Sequence, residues 1–134
     1  MGTLIDYIKA NRPKRFVAKP YYSEDGDSVT FYFKDGASYA RRVDDFLTVY
    51  LSMERNELVG CQVKGVARLL KLLGQFGLTV EDKSVKLGMF FMACMAQTPA
   101  ENSKDTYKEL SRFARNAAVT RKELKPALAG AALN

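Results

Sequence analysis

Four groups of side chains in this sequence have types and spacings that can do chemistry. The first is a set of carboxylates, Asp44, Asp45, Glu54 and Glu57, placed on either side of an apolar stretch. Gathered at one end of a sheet, they would suit a hard cation such as magnesium or calcium, which takes oxygen ligands. No dense loop of ligands at calcium spacing accompanies them, so they are expected in turns, accepting from backbone donors and keeping strand ends in water. The second group is a soft-ligand run, Met89, Met92, Cys94 and Met95, of the kind that suits monovalent copper. It is embedded in Phe90 and Phe91 with no second cysteine or histidine nearby, so packing or self-association through Met89, Phe91, Met92 and Met95 is the expectation. The third is aromatic: Tyr32, Tyr39 and Tyr50 alternate along segments that also carry Arg41 and Arg42, and tyrosine beside arginine can stack single-stranded bases. The fourth is a basic stripe, Lys104, Lys108, Arg112 and Arg115, able to follow a phosphate backbone. Glu101, Asp105 and Glu109 each stand three residues before one of these bases, which favours local ion pairs on a solvated face.

Other chemistries are excluded by composition. The 134 residues include no histidine, which removes Ser-His-Asp and Cys-His nucleophile systems and the commonest zinc ligand. Gly74, Gly77 and Gly88 are followed by no Gly-Lys-Ser/Thr step, so no phosphate loop is present. No catalytic residue, cofactor or metal is therefore expected, and the chain reads as non-enzymatic. Cys61 and Cys94 lack metal-ligand spacing and read as reduced, buried residues of a cytoplasmic protein. The longest uncharged apolar run, Leu87 to Ala96, is about half of the ~20 residues that span a bilayer, so no membrane partner is expected. The net charge of +6 is uneven: residues 1–19 carry +4, residues 20–70 carry −2 and residues 71–134 carry +4. Basic flanks around an acidic middle permit a polyanion partner without requiring one.

The elements that must position these residues follow from periodicity. Thr3 to Ala10 fits a short amphipathic helix stopped at Pro13. Val29, Phe31 and Phe33 alternate with polar residues as in a half-buried strand, and Asp35-Gly36 is a hairpin signal. Ala37–Val43, Phe46–Met53 and Leu58–Lys64 complete an antiparallel meander over 20–65. From Val66 the period becomes helical. A second helix is expected from a cap at Ser84 through Ala96, and a third from the capping box at Thr98 to about Ala117. Thr120 to Glu123 should cap a short last helix, and 127–134 should fray. The expected class is α+β: one domain over 1–134, an antiparallel β-meander followed by three or four helices packed against it, with the helical part over 66–126.

Residues 21–70 resemble a bacterial domain-of-unknown-function family. The resemblance is carried by Tyr22–Phe31 (YSEDGDSVTF) and Val43–Leu70 (VDDFLTVYLSMERNELVGCQVKGVARLL). It implies a β-meander packed on a helix and implies no activity. The functional expectation is a bacterial interaction or structural module that self-associates as a homodimer, with weak nucleic-acid binding or regulation through the basic flanks as the alternative.

Overall fold

The computed structural model describes residues 16–75, 83–97 and 101–131. Five short strands come first: β1 (Tyr21–Ser23), β2 (Ser28–Tyr32), β3 (Ser38–Arg42), β4 (Leu47–Ser52) and β5 (Leu58–Lys64). They are followed by helix α1 (Val66–Gln75), strand β6 (Ser84–Lys86), helices α2 (Leu87–Gln97) and α3 (Glu101–Phe113), strand β7 (Ala118–Thr120) and helix α4 (Lys125–Gly130). The fold is α+β, with an antiparallel sheet followed by helices packed on it. The expected Thr3–Ala10 helix and the capping residues Thr98–Ala100 lie outside the described residues.

The sheet runs in the order β1-β2-β5-β4-β3. Strands β3, β4 and β5 form the meander, but β2 pairs with β5, giving a Greek-key connection. The hairpin expected at Asp35-Gly36 is therefore not formed. Burial gives the reason. The first four residues of β2 are all buried, so it belongs between two strands, whereas β3 is largely exposed and suits an edge. After β2 the chain passes the end of β5, where the Phe33 and Lys34 amides both donate to the Val59 carbonyl at 2.9 and 3.3 Å. That carbonyl is presented by a bulge: Leu51 pairs with Leu58 and Tyr50 with Gly60, leaving Val59 as the extra residue.

Gly60 faces Tyr32 on one side and Tyr50 on the other. A Cβ there would lie 2.7 Å from the Phe31 carbonyl oxygen and 2.8 Å from a Tyr32 ring carbon, so only glycine fits. The Tyr32 and Tyr50 rings stack 4.8 Å apart across this strand, restoring the contact that glycine lacks.

Val29, Phe31, Leu47, Val49, Cys61 and Val63 share the face that the helices cover. Asp27 fixes the first helix to it: its carboxylate accepts from the Ala67 amide at 3.0 Å and from the Tyr22 hydroxyl at 2.7 Å. With φ at 46°, Asp27 sits in the left-handed region that aspartate tolerates, and its carbonyl also accepts from the Gly65 and Val66 amides. Helix α2 packs against both α1 and α3, and α1 also meets α4.

Three expectations about the helical half are corrected. Ser84 does not cap a helix: Ser84–Lys86 alternates exposed, buried, exposed and pairs with Ala118–Thr120, so the helix starts at Leu87. The tail is not frayed from 127, because Ala127 and Ala131 are buried and α4 runs to Gly130. Phe91 is not at a self-association face. It is fully buried beside Tyr107, with ring centroids 5.9 Å apart, and Met89 and Met95 are half-buried against the same core. The apolar circumference of α2 is used up by its neighbours within the chain, leaving Met92 exposed at 59%.

Candidate functional site

Helix α3 turns Tyr107, Leu110 and, just past its end, Ala114 into the core. Their spacing of three and four makes one stripe. Phe113 sits at the margin of that stripe, and its ring emerges 42% exposed. Phe33 continues the inward-facing alternation of Val29 and Phe31 beyond the end of β2 and meets it. The Phe33 and Phe113 rings are nearly parallel, 4.3 Å apart at an interplanar angle of 2°. Phe31 lies behind Phe33 at 5.8 Å, so three aromatic rings lead from the core to the surface. The Lys34 ammonium stands 5.8 Å from the Phe113 ring centroid and 3.8 Å from a Glu57 carboxylate oxygen. At these distances the cation is drawn to both the ring face and the carboxylate.

Two open clefts flank Phe113. One, of about 500 Å³, is bordered by Lys34 and Arg41 but also by Glu57 and Glu109, so its charges balance. The other, of about 490 Å³, is bordered by Lys34, Arg112 and Arg115, with Phe33, Phe113 and Asn116 between them. No acidic residue among the described ones borders it. Arg112 lies in the last turn of α3, where the helix dipole favours a cation.

The middle of α3 is fixed by a part-buried polar chain. The Asp44 carboxylate accepts from the Phe46 and Leu47 amides, each at 2.8 Å, and from the Tyr107 hydroxyl at 2.9 Å. The Tyr107 hydroxyl also lies beside the Cys94 thiol, a contact that works to lower the thiol but is outweighed by burial. Burial raises the Tyr107 hydroxyl well above its ordinary value and pushes the Cys94 thiol up to about 12. Burial likewise raises Cys61 to about 12. Thiols held protonated in this way are poor nucleophiles.

The four carboxylates stand outside the strands, as expected, and Asp44 accepts from backbone amides. Asp44 and Asp45 precede β4 and Glu54 and Glu57 follow it, so the pairs lie at opposite ends of that strand. Among the described residues no group of three or more potential ligands is placed to hold a metal ion, and no helix is long and apolar enough to cross a membrane. The three tyrosines do not form one platform. Tyr32 and Tyr50 lie on the face away from the helices, but Tyr39 pairs with Leu51 and so faces the other way, its hydroxyl donating to Asn56 at 2.7 Å. Burial pushes the Tyr50 hydroxyl up to about 12. Arg41 and Arg42 likewise part company, because neighbours on a strand point to opposite faces. Arg41 borders the balanced cleft, while Arg42 donates to the Asp45 carbonyl at 3.4 Å. Of the basic stripe, Arg112 and Arg115 reach the cationic cleft; Lys104 and Lys108 lie earlier on α3 and border neither cleft.

A scan of family models and searches of curated proteins and of solved structures each gave no match to this chain. The functional reading rests on the geometry. Sequence reasoning missed Phe33, Lys34 and Phe113 as site residues. Phe113 has the spacing of a core residue, and nothing local marks the ring as lying at the stripe's edge.

Proposed function

We propose that this protein is a non-enzymatic binding module that recognises an anionic partner at the seam between the end of β2 and the end of α3. The observation that carries this reading is the exposed Phe113 ring, stacked on Phe33 and bordered by Lys34, Arg112 and Arg115 in a cleft whose described lining holds no acid. Stacked aromatics give a rigid apolar contact, and cations spread around it give attraction and orientation. The nucleophilic thiols are buried and held protonated, which supports binding rather than group transfer. Two unpaired thiols also fit a reducing, cytoplasmic setting. Retention on immobilised heparin, a generic polyanion, tests the reading. Arg112→Glu with Arg115→Glu should elute at clearly lower salt than the unaltered protein, and Lys86→Glu with Lys125→Glu, which removes equal charge elsewhere, should shift elution less. Equal shifts for the two pairs would reduce the effect to net charge and remove the site.

A second reading, self-association as a homodimer, is favoured by Met92, exposed between half-buried Met89 and Met95 on one helix face. Light scattering coupled to size exclusion decides it. A mass near 15.0 kDa at micromolar concentration would remove the dimer.

A further inference from the structure

We infer that the occupant of the cleft beside Phe113 is a single-stranded nucleic acid, its phosphates on Lys34, Arg112 and Arg115 and an unpaired base against the Phe113 ring. This rests on the anion-binding reading above and names the partner class. The cations come from separate elements: Lys34 from the segment after β2, Arg112 from the last turn of α3 and Arg115 from the turn beyond it. Charges set along a border suit a chain of phosphates, which supplies one negative charge per nucleotide. The aromatic component distinguishes among polyanions. Phe113 is held flat by Phe33 behind it, and a fixed, part-exposed ring is a stacking surface for a base. Bases in a duplex are stacked on one another and cannot use it, whereas unpaired bases can. Asn116, on the same border, supplies an amide able to donate to and accept from a base edge or a sugar hydroxyl. The adjoining cleft, where Glu57 and Glu109 offset Lys34 and Arg41, offers phosphate no net attraction and so limits the track to one side of Phe113.

Fluorescence anisotropy with the full chain tests this, using a labelled single-stranded oligonucleotide of mixed sequence about 20 nucleotides long, its duplex and a poly-glutamate peptide of similar charge. The single strand should bind more tightly than the duplex, and its affinity should fall with salt at a log–log slope of about −2, the value for three phosphates on a single strand. Phe113→Ala should weaken single-strand binding about tenfold and leave the slope unchanged, since stacking carries no charge. Arg112→Ala with Arg115→Ala should bring the slope to about −0.7. Both sites are exposed, and circular dichroism of each variant checks that it is folded. Peptide binding that is lost in the double arginine variant, with no oligonucleotide binding at low salt, would overturn the nucleic-acid inference and leave the anion-binding reading standing. Failure of every probe at low salt would overturn both. Equal affinity for single strand and duplex, or no effect of Phe113→Ala, would remove the stacking role and with it the inference.

Discussion

Helices α2 and α3 pack against each other and use their residues in opposite ways. Helix α2 is apolar around its whole circumference, and the chain covers most of it: Leu87, Phe90, Phe91, Ala93 and Cys94 are buried, and Met92 is left exposed. Helix α3 is polar over most of its surface, buries one stripe through Tyr107 and Leu110, and leaves Phe113 part-exposed beside Arg112. The more hydrophobic helix thus marks depth, and the less hydrophobic one carries the candidate surface. An exposed apolar group stands out where its surroundings are polar. Phe113 is such a group, and Phe91 is not.

The largest effect should come from opening the interior of α2. Phe91→Ala removes a fully buried ring and should cost about 3–5 kcal/mol in urea denaturation, in line with other large-to-small core changes. The adjacent Met92→Ala should stay within about 0.5 kcal/mol, as exposed positions usually do. Similar costs at the two positions would contradict the placing of Phe91 in the interior and of Met92 at the surface of α2.

Next in size is the junction between the helices and the sheet. Tyr107→Phe deletes the hydroxyl that donates to Asp44 and should cost about 1.5–3 kcal/mol, the range for a hydrogen bond to a charged group. The same junction predicts a pH dependence. Burial raises both thiols from 9.0 to about 12 in the folded chain. A raised folded value means that the neutral thiol's contribution is fully present below the unfolded value and is lost as pH rises through the folded one. Stability should therefore decline from about pH 9 toward about pH 12, and alkaline urea titrations should show a shallower decline for Cys94→Ala. Burial of Tyr50, also raised to about 12, acts in the same direction and at a higher starting pH.

Small stability effects belong to the site itself. Phe113→Ala gives up one aromatic pair and part-exposed area, and should cost about 1 kcal/mol. Arg112→Ala and Arg115→Ala should be close to neutral in thermal melts while weakening retention on a polyanion. Losses of several kcal/mol at these positions would make the seam a structural element rather than a recognition surface.

The sequence made the class legible because the change from period two to period 3.6 at Val66 is a physical switch from one-faced sheet to helix. It also marked Leu58–Lys64 as a strand, but Thr120 does not cap the last helix: its hydroxyl oxygen accepts from the Glu123 amide at 3.1 Å in a turn, and α4 starts only at Lys125, with Leu124 at the cap position and no side-chain cap bond. It did not reveal strand order. Asp35-Gly36 has the composition of a tight turn, yet β2 is buried on both faces, through Val29 and Phe31 on one and Ser28 and Thr30 on the other, and takes an interior place beside β5. Strand β6 was hidden because its partner, β7, lies more than thirty residues away and each is only three residues long. The basic residues were legible as types, but their grouping was not. Arg41 and Arg42 are neighbours in sequence and point to opposite faces, while Lys34 and Arg115 are far apart in sequence and border one cleft.

Backbone amide NMR of the full chain titrated with a single-stranded oligonucleotide tests the central claim most directly. Shifts should concentrate at Phe33, Lys34 and Arg112 through Asn116, with the amides of Phe90, Phe91 and Ala93 on α2 unmoved. Shifts concentrated instead at Tyr32, Tyr50 and Arg42 on the opposite face of the sheet, or at Met92, would contradict the assignment of the recognition surface to the end of α3.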